Sequence, residues 1–397
     1  MIVLLALLGA AAADPCFTTL ERDVNCNDVE ADDEPLVDPS DPDCALHSDP
    51  DDPATTDSWY DYMSWGCGYY LDHGEMMPPD ALETLAGFDA IYLGGVGWPE
   101  SVPEEIAVRG VVLAIRTGFD QYANVRPVKP LPGAPFPLAR KDPSQIDFVV
   151  VREGTEGLYV GQGGRYARQQ AGFEQWASLR PAFLKSDELA VQIGLYSEHG
   201  CRRVMEYSFE LARRRGGKRL VTSCTKVNAL NYGMKLWSDV FEEVAEGYPD
   251  IDHEWMHADA LAMRFVTSPE HFDVVVAPNL FGDLITDLSA TLLGGLGMAA
   301  GGNLHPGGIG MFEPPHGTAP DIAGQGIANP VAALLTAAMM LEELGETPAA
   351  RLLEHAVADV VRSGAIRTPD IGGASTTQEV GDAVANRILS ADLRRET

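Results

Sequence analysis

Short apolar runs of strand length recur along the chain, each followed by a polar loop and then by a stretch with helical periodicity. DAIYLGGVG (89–97) reads as a buried strand ending in a glycine-rich turn, and IDFVVVREGTEG (146–157) as a second strand entering a polar loop. RLVTSCTK (219–226) is a strand followed by the amphipathic helix NALNYGMKLWSDVFEEVAEG. FDVVVAPN (272–279) is another, followed by a helix that starts near Leu280. After a glycine-rich stretch (294–310) come the loop EPPHGTAPDIAGQGIANP and the helix VAALLTAAMMLEELG. Such alternation predicts an α/β sheet whose ligands gather at the carboxyl ends of strands. No internal repeat is visible.

Composition narrows the function. With 397 residues, 45% of them hydrophobic, the chain can bury a sizeable core and divide into two domains. A net charge of -31 argues against nucleic acid, because an acidic surface repels the phosphate backbone it would have to neutralise. Residues 1–57 hold 15 acidic residues against Arg22 alone. The stretch 14–57 is rich in Asp and Pro, without period, and is expected to be disordered. Arginine far outnumbers lysine, which suits a salt-rich cytoplasm and equally an ordinary acidic enzyme. The six cysteines include no CxxC pair, so reduced thiols are expected. Residues 2–13 have the length of a signal-peptide apolar region but lack a preceding basic residue and a clear cleavage site, so a cytoplasmic location is expected. No apolar run reaches the roughly 18 residues needed to span a bilayer.

Several segments carry chemistry. In FGDLITDLSA, Asp283 and Asp287 lie four apart on a helix directly after a buried strand, which puts both carboxylates on one face. Two hard oxygen donors there suit Mg²⁺ or Mn²⁺, and the same spacing fits a solvated helix face. Asp259, in HADALAMRFV, opens another helix; it is a third candidate ligand or simply an acid favoured by the helix dipole. Arg116, Arg126 and Arg152 form a potential clamp for a dicarboxylic acid, since the guanidinium fork matches a carboxylate. Surface ion pairs are the alternative, least so for Arg152, which ends an apolar run. Lys226 ends another apolar strand and could exchange a proton in a dry or cationic site; Tyr159 follows the loop that carries Arg152. Neither a G-x-G-x-x-G fingerprint nor a P-loop occurs, so a dinucleotide would need another glycine-rich loop, and EPPHGTAPDIAGQGIANP is the candidate.

In their order, IRTGFDQYANVRPV, VVREGTEGLY, TSCTKVNAL, HADALAM, NLFGDLITD and FEPPHGTAPDIAGQGIANP resemble the motifs of the isocitrate and isopropylmalate dehydrogenase superfamily from about Trp59 to the C-terminus. The resemblance implies an α/β, isopropylmalate dehydrogenase-like, non-Rossmann fold: two domains and a mixed parallel/antiparallel central sheet flanked by helices. It implies a large dinucleotide-binding domain (59–121 plus 295–397) and a small domain with dimerisation elements (122–294), after an atypical leader (1–58). It makes Arg116, Arg126 and Arg152 the substrate clamp and Asp259, Asp283 and Asp287 the metal ligands. Tyr159, Lys226 and Asp259 become catalytic. Glu313, His316, Gly317, Thr318, Asp321 and Asn329 fall on the NAD loop, where Asp321 favours NAD over NADP by repelling a 2′-phosphate. Lys226 and Asp259 would reach the site from a neighbouring subunit, implying a homodimer with shared sites.

WGCGYYLDHGEMMPPDALETLAGFDAIYLGGVGWP looks like the tartrate and D-malate branch. VRGVVLAIR lacks the Ser and Asn expected for isocitrate, and Arg109 stands where isopropylmalate enzymes tend to carry an acid and the tartrate and D-malate group an aromatic. Oxidation of a 2-hydroxy dicarboxylic acid with NAD and a divalent metal, then decarboxylation, is the implied activity. An isopropylmalate- or isocitrate-type enzyme, or an impaired paralogue serving as a binding subunit, is the alternative. The family's opening strand, G-D-G-I-G turn and helix have no counterpart here. A misread gene start is the favoured explanation; a leader fused to a truncated enzyme, or IVLLALLG standing in as the strand, are the others. Taken literally, the sequence predicts a sheet lacking an interior strand, with low stability and weak NAD binding.

Overall fold

The computed structural model describes residues 2–5 and 60–392; the acidic stretch expected to be disordered lies outside them, with Cys16, Cys26 and Cys44. In chain order the strands are β1 (Ile2–Leu5), β2 (Tyr60–Tyr62), β3 (Ala90–Leu93), β4 (Ala123–Val128), β5 (Phe148–Glu153) and β6 (Gly157–Ala167). There follow β7 (Glu188–Leu195), β8 (Leu220–Thr225), β9 (Asp252–His257), β10 (Val274–Ala277), β11 (Gly302–Leu304) and β12 (Gly310–Phe312). Ten of them form one sheet in the order β2-β1-β3-β12-β11-β4-β5-β10-β8-β9, and β6 pairs with β7 in a separate antiparallel ribbon.

The large sheet is mixed, as expected. β2, β1, β3 and β12 are mutually parallel, as are β5, β10, β8 and β9. Between these blocks, β12 with β11, β11 with β4 and β4 with β5 all pair antiparallel. Both faces are covered around β5 and β10, which explains their unbroken apolar sequences. Val149, Val151, Val274 and Val276 join a core with Met205 and Trp237 from the helices Glu198–Arg215 and Gly233–Ala245. Phe148, Val150 and Val275 face the opposite way, against Phe265, Ile285 and Val357. Each such fully buried side chain stabilises the fold by about 1.5–3 kcal/mol.

Two expectations change. The helix expected from Asn228 begins at Gly233; before it Ala229 and Leu230 donate their backbone N–H groups to the Lys226 carbonyl, making a turn. The expectation of a missing interior strand is overturned as well. Ile2–Leu5 runs inside the sheet, with Val3 beside Asp61 of β2 and Ile91 of β3. An apolar run with partners on both sides satisfies its backbone groups in two ladders at once, so the short IVLL segment meets the requirement of a parallel interior strand.

Candidate active site

The centre of the site follows from sheet register. The pairings Asn303↔Asn124 and Asn124↔Arg152 put these residues side by side across β11, β4 and β5, where β5 ends. Asn124 Nδ2 donates to Asn303 Oδ1 at 2.7 Å, and Asn303 Nδ2 donates to Glu313 Oε1 at 2.9 Å. Glu313 also pairs with Arg116 at 3.2 Å. Arg126 Nε donates to Asn124 Oδ1 at 2.9 Å. Arg152 donates from Nε to Asn279 Oδ1 at 2.9 Å and from Nη1 to Asp283. Arg116 and Arg126 therefore share one polar network, while Arg152, beside Asn124 in the sheet, anchors a second one with Asn279 and Asp283; Arg116 and Arg152 are only 6% and 5% exposed.

Charge within this network is uneven. Arg116 and Arg152 each have a carboxylate partner, while among the described residues none pairs with half-buried Arg126. Burial, together with the charges of Arg152 and Arg116, pushes the Arg126 guanidinium down to about 10 against the pull of Glu313. Burial also lowers the pKa of Arg116, whose Nε is buried without a hydrogen-bond partner. A half-buried cation whose one hydrogen bond among the described residues goes to a neutral amide, and an orphaned buried donor, are both groups that an incoming anion would satisfy.

Asp283 and Asp287 project from the helix Asn279–Ala290, which Gly282 lets approach β5 closely: a Cβ there would meet Arg152 Cγ at 2.6 Å. Asp283 accepts the Tyr159 hydroxyl at 2.6 Å, and Arg152 lies 5.2 Å from the centre of that ring. Burial first, then the bond to Asp283, raises the Tyr159 pKa. Asp287 makes no hydrogen bond or ion pair of its own among the described residues, and surrounding protein and the Asp283 charge push it upward. Two oxygen-donor side chains one turn apart, one of them without a partner, fit a hard divalent ion. They supply only part of a ligand set: among the described residues no three acidic, His or Cys side chains gather to hold a metal.

Among the described residues no hydrogen bond or ion pair links Lys226 or Asp259 to the arginines or to Asp283 and Asp287. Lys226 Nζ pairs with Asp259 Oδ1 at 2.7 Å, and that bond holds the exposed carboxylate below the usual range. Asp259 lies in the first turn of the helix Ala258–Thr267, as expected. Large apolar side chains are exposed on the same elements: Trp255 of β9 at 51%, Met263 of the helix that carries Asp259 at 65%, and Leu284, next to Asp283 in the chain, at 62%.

The glycine-rich loop begins at Glu313 and so adjoins the arginines. A Cβ at Gly95 would meet the Gly317 carbonyl oxygen at 2.6 Å and Thr318 Cγ2 at 3.1 Å, so the 94–97 turn packs directly on residues 317 and 318. His316 Nδ1 donates to the Gly317 carbonyl at 2.6 Å, and burial lowers the pKa of this imidazole. Ala319 takes up a left-handed backbone (φ 44°), a strained conformation for a residue with a Cβ. Asp321 is exposed. Asn329 is already occupied: its oxygen accepts the N–H of Val331, the first residue of the helix Val331–Glu343, at 3.0 Å, and Nδ2 donates to Asp370 at 3.0 Å. Arg109 opens a π-helical turn (Arg109–Leu113), and its guanidinium lies near Gly161 of β6. Sequence reasoning missed Asn124, Asn279 and Asn303, although the first two lie within or beside the quoted motifs.

A mixed sheet of this order, with clustered arginines facing a helix-borne pair of acids, defines a class. A family model for isocitrate/isopropylmalate dehydrogenase matches residues 53–384, and the chain belongs to that family. It is 44% identical over 327 residues to a probable tartrate dehydrogenase/decarboxylase of Bacillus subtilis (strain 168), covering 82% of this chain and 86% of that one. It is also 44% identical over 338 residues to the decarboxylating D-malate dehydrogenase of Escherichia coli (strain K12), covering 83% and 89%. Among solved structures, isocitrate dehydrogenase from Methylococcus capsulatus superposes with a TM-score of 0.72 at 34% identity, covering 83% of this chain and 90% of that one.

Proposed function

We propose that the protein is a metal- and NAD-dependent dehydrogenase that oxidises a 2-hydroxy dicarboxylic acid, D-malate or tartrate, and decarboxylates the product. The observation that carries this is Arg126, a half-buried cation with no carboxylate partner among the described residues, set between two buried arginines. The names borne by the Bacillus and Escherichia relatives support the choice of substrate.

Arg116, Arg126 and Arg152 bind the substrate carboxylates and fix the C2 hydroxyl in place. Asp283 and Asp287, with Asp259 from a second copy of the chain, would hold Mg²⁺ or Mn²⁺. A bound divalent ion would supply Lewis-acid polarisation of the substrate oxygens, and a bound NAD⁺ would supply the hydride acceptor. Lys226, also from the second copy, accepts the hydroxyl proton. Tyr159 returns a proton to carbon as CO₂ departs. Asp321, exposed on the loop that runs from Glu313 to Asn329, would accept the hydroxyls of an adenosine ribose and disfavour a 2′-phosphate. His316, Gly317 and Thr318 line the same path.

The homodimer is inferred because no hydrogen bond or ion pair among the described residues links the Lys226–Asp259 pair to the arginines, and because Trp255, Met263 and Leu284 expose apolar surface. Residues 59–121 with 295–397 would form the dinucleotide-binding domain, and 122–294 the domain that supplies the subunit contact. Among the described residues no helix is long and apolar enough to cross a membrane. Burial pushes the thiols of Cys201 and Cys224 up to about 12, and such inert thiols are compatible with a cytoplasmic enzyme. The test is absorbance of NADH, with Mn²⁺, NAD⁺ and D-malate, tartrate, isopropylmalate or isocitrate in turn. D-malate or tartrate is expected to give the highest rate.

A further inference from the structure

We propose that Arg203, which no expectation singled out, is a positioning residue that locks Arg116 onto the β4–β5 pair and so sets the geometry of the clamp. The proposal rests on the dicarboxylate reading above. Arg126 and Arg152 lie on strands joined by a continuous antiparallel ladder, which fixes one against the other. Arg116 is outside the sheet, in the last turn of the helix Ala114–Gly118. Something must register that helix end on the strands, because a clamp for two carboxylates needs its donors placed to within a fraction of an ångström.

Arg203, on the helix Glu198–Arg215, touches a segment from each of the three arms. Its Nη1 pairs with Asp120 Oδ2 at 2.6 Å, four residues beyond Arg116. Its Nη2 donates to Thr155 Oγ1 at 3.0 Å, three residues beyond Arg152. Its guanidinium carbon lies 4.4 Å from the centre of the Tyr122 ring, four residues before Arg126 on the chain leading into β4. The side chain is 16% exposed and its Nε is buried without a partner, so the head group is committed to these contacts.

Each contact passes on to the clamp. Asp120 holds a left-handed backbone (φ 48°), unfavourable without glycine, and the next residue, Gln121, donates its N–H to the Arg116 carbonyl at 2.8 Å. His305 Nδ1 donates to the Asp120 carbonyl at 2.9 Å and steadies the same turn. Thr155 Oγ1 donates in turn to Glu153 Oε1 at 2.5 Å, and Glu153, 2% exposed, adjoins Arg152. The Gly154 N–H donates to the Tyr122 carbonyl at 2.8 Å, which ties the loop after β5 to the start of β4. Removing Arg203 leaves Asp120 strained and without its strongest partner, and the helix end is then free to shift against the strands.

The test compares the whole enzyme with its Arg203→Met, Arg203→Lys and Asp120→Asn variants, measuring kcat, KM for D-malate and tartrate, KM for NAD⁺ and thermal midpoint. Arg203→Met is expected to raise the KM for the acid about tenfold or more, the scale of an ångström-level misplacement, with the KM for NAD⁺ unchanged. Arg203→Lys, which can still reach one carboxylate but cannot fork, is expected to recover part of the loss. Asp120→Asn carries the same expectation if Arg203→Met does not fold. A folded variant with the wild-type KM for the acid overturns the proposal, and so does a parallel rise in both KM values, which marks general loosening. Wild-type protein that neither turns over nor is thermally stabilised by D-malate or tartrate fails at the earlier step and removes both readings.

Discussion

Arg126 owes its position to a neutral amide. The strand that carries it also carries Asn124, and the register with β11 and β5 directs that carboxamide into a chain running from Asn303 to Glu313 and Arg116. Buried amides inside strands leave no spacing signal in a sequence. Asn303 takes its role from Asn124, 179 positions away, and Asn279, at the start of a helix, from Arg152, 127 positions away, so neither was legible, whereas the acids four apart on a helix were. Arg203 was hidden for the same reason. Gly282 gives a test at this scale. Alanine would be favoured there by helix propensity by about 1 kcal/mol, yet its Cβ would overlap Arg152 Cγ and Cβ at 2.6 and 2.7 Å. The overlap should dominate: Gly282→Ala is expected to lose about 1–3 kcal/mol in chemical denaturation and to weaken substrate binding more than NAD⁺ binding. Unchanged stability and KM would show that the helix is free to retreat.

Among the elements, β5, β8 and β10 were readable as apolar runs because each is buried on both faces, and the helix that follows β10 was readable from its acids. The three-residue strands β11 and β12 were not, since each gains its identity only from distant partners. The glycine-bearing ribbon of β6 and β7 likewise has no apolar run to announce it. β1 is the instructive case: the run IVLLALLG suggested only that a substitute strand was conceivable, and the structure puts its first four residues, Ile2–Leu5, between β2 and β3. Proline at Val3 would delete a ladder donor from a strand paired on both sides. Val3→Pro is expected to cost roughly 1–3 kcal/mol in urea unfolding and to leave the Arg152 network intact. An unchanged midpoint would mean that Ile2–Leu5 contributes nothing to the sheet.

At the scale of the whole molecule, the net charge of -31 makes self-repulsion a standing cost to the compact state. Salt relieves it by shortening the Debye length from about 10 Å at about 0.1 M to about 3 Å at about 1 M. The thermal midpoint is therefore expected to rise through this range in potassium chloride, and a flat or falling curve would contradict a repulsion-limited fold. The same excess of acid makes the arginine network the exception on which the functional reading turns. The most direct measurement of that reading is NADH formation from D-malate and tartrate at saturating NAD⁺ and Mn²⁺, for the wild type and for Arg126→Met. Loss of one charge-assisted contact to the substrate should cost about 2–4 kcal/mol, so turnover by the wild type and a KM raised roughly 30- to 1,000-fold in the variant are expected. Folded wild-type protein that makes no NADH from either acid, or an Arg126→Met variant with the wild-type KM, would contradict it.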